Sequence, residues 1–147
     1  MTQTIKGIRD LIVAKLETIK DTEGNDIFGD IFGYAKGDFE NYPVVVVTPS
    51  GGKGEVLDTH RNERTFQFTI KLYQEQSRAG KTPEEADEMM TEASDAILKA
   101  FDVDEDLGGE VQIVRVVEFD TDFKVAAGTF NFATFRVDCV VIVLDYE

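Results

Sequence analysis

Four stretches of the chain hold residue types that could act on a substrate, a phosphate or a metal. The single histidine, His60, stands in the run Asp58, Thr59, His60, Arg61, Asn62, Glu63 and Arg64. A histidine works as a general base when a carboxylate orients it toward a pocket. A loop this dense in charge of both signs serves equally well for ion pairs between subunits, and that reading is preferred. Gly80, Lys81 and Thr82 lie between a strand-like and a helix-like run, the setting of a phosphate-binding loop. That motif needs a glycine five residues before Gly80, where Glu75 stands instead and would repel phosphate. A helix start with Thr82 as cap, Pro83 at the first position and Glu85 behind it explains the same residues without a ligand. Asp102, Asp104 and Asp106 alternate as calcium ligands do, but Leu107 and Ile113 occupy the places where such a loop needs glycine and glutamate. A solvated helix end accounts for them. Cys139, the only cysteine, is set among Val137, Val140 and Val141 as a buried, inert thiol without an intrachain partner. No catalytic, cofactor-binding or metal residue is assigned, and the chain is not expected to be an enzyme.

The elements that must carry these residues follow from composition and periodicity. A chain of 147 residues fits one domain, 1–147, able to hide roughly two-thirds of its unfolded surface. Its net charge of −14 disfavours nucleic acid and anionic lipid as partners, and no Lys/Arg cluster offsets it. The first residues lack the apolar core of a signal peptide, and no run approaches the ~18 apolar residues of a membrane span. A soluble protein made in a reducing cytoplasm is expected.

Ile5, Ile8, Leu11, Ile12, Leu16 and Ile19 recur at helical steps and predict a helix over about 4–20, capped by Thr4, with Gly24 past its end. Residues 27–36 predict a first strand, weakened at Gly29 and Gly33, where a bulge or a close backbone approach is expected. Val44 to Val47, bracketed by Pro43 and Pro49, predict a strand covered on both faces. Residues 50–63 are polar, begin with glycines and predict a long loop. Residues 64–74 alternate, with Phe66, Phe68, Ile70 and Leu72 facing one way, and predict a half-buried strand. A second helix is expected over about 83–101, burying Ala86, Met89, Met90, Ala93, Ile97 and Phe101. The chain closes with a long hairpin, 111–125 and 130–145, linked through Ala126, Ala127, Gly128 and Thr129. On its first strand Val111, Ile113, Val117, Phe119 and Phe123 are assigned to one face. Val114 and Val116 fall on the other with Gln112, Glu118, Asp120 and Asp122. On the return strand Phe135, Val137, Cys139, Val141 and Val143 share a face, opposite Phe130, Phe132, Val140, Ile142 and Leu144. Strands of this length exceed the usual 3–10 residues, so the tip is expected to project and Phe130 and Phe132 to seek a partner. The fold class is α+β, in the order α-β-β-β-α-β-β, with two helices on a largely antiparallel sheet.

That order, the valine strand with its long polar sequel, the alternating 64–72 strand, the capped second helix and the long final hairpin together resemble the tail terminator, or tail completion, proteins of long-tailed bacteriophages. The stretches closest in character are 42–48, 58–73 and 123–143, and the likeness of pattern covers nearly the whole chain. The resemblance implies a structural virion protein of the tail and neck, assembled in the host bacterial cytoplasm. Such a protein forms a ring, usually a homohexamer, that caps the tail tube, ends its elongation and offers a surface to the head connector. Its partners would be itself, the tail tube protein and the neck or connector protein. Genomic DNA would pass through the channel without specific binding, with no membrane and no cofactor involved. Six copies would together carry about −84, which suits a channel that must not hold DNA. The expected oligomer or tube interface comprises Lys53, Glu55, Asp58, His60, Arg61, Asn62, Glu63, Arg64, Phe130 and Phe132. Other readings are a neck or head–tail joining protein, a tail component that polymerises instead of capping, a small-ligand or protein-binding adaptor, and a His60-dependent hydrolase.

Overall fold

The computed structural model describes residues 4–35, 41–57, 61–75, 83–126 and 130–144; within these, the side chains of Pro83, 122–131 and 143–144 are not described. The elements follow the predicted order: α1 (Ile5–Glu17), β1 (Asp30–Phe32), β2 (Val44–Val56), β3 (Arg61–Glu75), α2 (Pro83–Val103), β4 (Ile113–Ala126) and β5 (Phe130–Leu144). The five strands form one sheet in the order β1-β2-β3-β5-β4, antiparallel except for the β1–β2 pair.

Both helices lie on one face of that sheet. α1 covers β1 and β2, while α2 covers β3, β5 and β4. Ile8, Ile12 and Leu16 are the buried stripe of α1, and Ala86, Met90, Ala93, Ile97 and Phe101 that of α2. Beneath them one core gathers Val45 and Val47 of β2, Phe68, Ile70 and Leu72 of β3, Ala133, Phe135, Val137, Cys139 and Val141 of β5, and Val114 of β4. Alternation puts these residues on a single face, and removing their apolar area from water is the main force holding helices to sheet. Val44 and Val46 point to the reverse face, opposite Tyr73, Lys71 and Phe32 in register, and are closed off as well. The valine strand is therefore covered on both sides, as predicted.

Local signals account for the helix ends. The Thr4 hydroxyl accepts from the Gly7 N–H at 2.9 Å, satisfying a donor that the first turn leaves open. α1 stops at Glu17, three residues short of the prediction, because the chain turns at Thr18 and its N–H bonds back to Lys15. α2 runs two residues further than predicted. It ends in a tight reversal where Leu107, Gly108 and Gly109 all take positive φ. The predicted cap Thr82, with Gly80 and Lys81, lies outside the described residues.

Three expectations need correction. The first strand is only three residues long, because Gly29 is pressed against the neighbouring chain: a Cβ there would stand 2.1 Å from the Asn41 carbonyl oxygen. Close backbone approach was the right reading of that glycine, which lies just before β1 begins at Asp30. Residues 50–63 are not one long loop. β2 continues to Val56 and β3 begins at Arg61, paired in register from Gly51 with Gln67 to Val56 with Asn62. Ladder hydrogen bonds need only backbone, so glycines and polar side chains do not prevent a strand when its partner is fixed. On β4 the predicted grouping of faces fails. Val114 is wholly buried and Val111 nearly so, whereas Val117 is exposed at an irregularity between Val116 and Glu118. That extra residue returns Phe119 to the core-side face, where it stacks on Phe135 at 6.5 Å.

Candidate interaction surface

Beyond its valines β2 leaves the core. Pro49 to Val56 are all exposed, and they pair with the first half of β3, which pairs in turn with the end of β5. Because β1 covers only Val44 to Val46, the outer backbone edge of β2 from Val47 onward faces no described strand. This forms an arm at one end of the sheet. Val56 is 74% exposed and Leu57 40% at its tip, an apolar end on a polar ribbon.

The arm has two unlike faces. An irregularity between Pro49 and Gly51 resets the alternation, so Gly52, Gly54 and Val56 come to the helix side. Phe66 and Arg64 stand opposite the two glycines. With no side chains on Gly52 and Gly54, that side holds a hollow of ≈ 340 Å³ between the arm and Ile5 at the start of α1. On the reverse side Glu55 and Glu63 lie directly opposite each other, a like-charge pair that weakens a ladder. Lys53 and Arg64 are exposed and form no ion pair with any described residue.

The structure divides the predicted interface residues. Lys53, Glu55, Arg61, Asn62, Glu63 and Arg64 all lie on the arm, half-buried or exposed. Asp58 and His60 fall outside the described residues. Phe130 begins β5 opposite Ala126 and Glu75, at the far end of the sheet. β3 spans the gap with 15 residues, about 50 Å of extended chain, so the two predicted contact regions cannot form one patch. Phe132 is not a free apolar projection: it is half-buried and stacks on Tyr73 at 6.2 Å. The predicted facings of the Phe123, Phe130, Val143 and Leu144 side chains lie outside what is described.

The other chemical candidates become structural. Asp104 accepts from the Gly108 N–H at 3.0 Å and pairs with Lys15 at 3.3 Å, which ties the end of α2 to α1. The Gly108 N–H, with Lys15 behind it, holds the Asp104 carboxyl below its usual value. Among the described residues no three His, Cys, Asp or Glu side chains are placed to hold a metal ion. Burial, with Asp138 alongside, pushes the Cys139 thiol up to about 12, so it carries almost no thiolate near neutral pH. The reverse face of the sheet is a polar lattice in which Arg136 meets Glu118 at 3.5 Å and Asp138 at 3.6 Å. No described helix is long and apolar enough to cross a membrane.

Sequence reasoning missed Ile5, Pro49 and Phe66 as walls of the hollow, and Val103, which is 74% exposed at the end of α2. The signal was present: Gly52 and Gly54 alternate with Lys53 and Glu55, as small residues do on one face of a strand. No known protein family matches the chain, and no curated protein matches it.

Proposed function

We propose that this chain is a structural assembly protein that closes into a ring with copies of itself, in the manner of a phage tail terminator. In that role the ring caps a tail tube, halts its growth and presents a surface to the head connector. The arm is the observation that carries the reading. A monomer that functions alone has little use for a ribbon of exposed strand with an apolar tip and an edge that no described strand covers. Such a ribbon finds its complement on another chain, by pairing or by docking. The strong negative charge supports the same reading, since an acidic ring around a channel lets DNA pass without the phosphate contacts that would hold it. On the reverse face of the sheet Arg136 pairs with Glu118 and Asp138.

Native mass spectrometry of the purified protein, alone and with tail tubes, tests the proposal. The expected species is a closed ring near 98 kDa for six copies of 16.4 kDa, present once per tube end and absent along its length. Decoration along the whole tube would make it a polymerising tail component instead. A chain that stays a monomer with and without tubes would overturn the proposal.

A further inference from the structure

The hollow on the helix side of the arm has an apolar floor and a basic rim. Pro49 and Phe66 form the floor, Gly52 and Gly54 leave the space open, Ile5 stands half-exposed at one side, and Arg64 closes the other. Lys53, between the two glycines, alternates to the reverse face with Glu55 and takes no part in the rim. At ≈ 340 Å³ it has room for about ten water molecules, enough for a bulky apolar group with its flanks.

The same chain carries a shape that matches it. Val103 closes α2 and is three-quarters exposed, with Asp102, Glu105 and Asp106 exposed around it. The positive φ of Leu107, Gly108 and Gly109, and the Asp104 bonds to Gly108 and Lys15, hold this end as a firm knob. A helix C-terminus favours cations; the last turn of α2 has no basic residue of its own and Asp102 lies within it, while Lys15, Lys20 and Lys99 line the shallow hollow that Val103 borders.

Knob and hollow cannot meet within one molecule. Ile5 marks the start of α1, whereas the Val103 end lies beside Lys15 and Thr18, at the other end of that helix. The 13 residues of α1 separate them by about 20 Å.

We propose that the hollow of one copy receives the Val103 end of α2 from a second copy of this chain, with Arg64 meeting Asp102, Glu105 and Asp106. The inference rests on the ring reading above and names the contact that would build the ring. Apolar knob enters apolar floor, and Arg64, which forms no ion pair with any described residue, meets carboxylates at a helix C-terminus. Each copy offers its knob on one side and its hollow on another, so the contact can repeat head-to-tail, and it builds the ring where its rotation closes.

Two variants and their mixture test this. Gly54→Phe fills the hollow without disturbing the arm, since a Cβ at Gly54 meets nothing nearer than the Glu63 carbonyl at 3.7 Å. Val103→Asp removes the knob at an exposed site. Each alone should stay monomeric where the wild type assembles, with the half-assembly concentration raised roughly 30-fold or more. Mixed one to one, the variants retain a single working contact, the knob of the first with the hollow of the second. Native mass spectrometry should then show a heterodimer near 33 kDa and nothing larger. Melting curves check that both variants fold; Arg64→Glu replaces Gly54→Phe if the latter melts early. Variants that assemble as the wild type does, or a mixture that stays monomeric, overturn the knob-and-hollow contact, while the ring reading survives if the wild type still closes. A wild-type chain that never associates overturns both.

Discussion

Gly52→Ala should open the arm from within, and its neighbour provides the control. A Cβ at Gly52 would stand 2.3 Å from the Thr65 carbonyl oxygen, a backbone atom of the partner strand that has no rotamer to yield. The strands would have to part by about 1 Å to reach ordinary contact, enough to spoil hydrogen bonds whose useful range ends near 3.2 Å. Losing the two ladder bonds beside that position, at about 1 kcal/mol each, lowers the local opening free energy by about 2 kcal/mol. Amide exchange at Lys53 to Val56 and at Asn62 to Thr65 should quicken about 30-fold. The core should feel little, because Pro49 to Val56 bury almost nothing, so the melting temperature should barely move. Gly54→Ala, two residues on, has its nearest atom at 3.7 Å and should leave exchange unchanged or slow it by stiffening the strand. Equal exchange in wild type and Gly52→Ala, or equal losses in both variants, would refute the reasoning that separates the two glycines.

Phe135 is wholly buried on an interior strand and stacked by Phe119, so Phe135→Ala should cost about 3–5 kcal/mol, read from urea unfolding. That is a large share of the ~5–15 kcal/mol of a typical domain. Asp104 has a folded pKa below its unfolded value, so its contribution is present above the unfolded pKa and fades as pH falls through the folded one. The melting-temperature gap between wild type and Asp104→Asn should therefore hold steady at neutral pH and narrow as pH falls below the ordinary aspartate value of 3.8, small throughout because the pair is partly solvated.

Periodicity carried most of the fold. The 64–74 alternation, the two helical stripes and the four valines each state their burial in side-chain pattern, and the structure follows them to within a few residues. The arm was hidden because its strand is held by backbone pairing alone, which leaves no mark on residue type beyond the alternation of Gly52 and Gly54. The faces of β4 were misassigned for a different reason. Strict two-residue counting fails at the one extra residue near Val117, and the sequence gives no warning of where a strand will slip. The interface residues Lys53, Glu55 and 61–64 were found through density of charge. Val103 escaped because the helix was expected to end at about residue 101, which left it inside an acidic turn, whereas α2 runs on to Val103 and leaves it exposed.

The strand order carries a demand on synthesis. β5 follows every other strand in the chain, yet it lies between β3 and β4, and its ladder joins Phe68 to Val137 across much of the sequence. Until it emerges from the ribosome, two long neighbours display bare inner edges and Phe68, Ile70 and Leu72 lack their cross-strand mates. Nascent or truncated chains will therefore be sticky toward one another, and a donated β5 from a sibling would fit the vacancy as well as the chain's own.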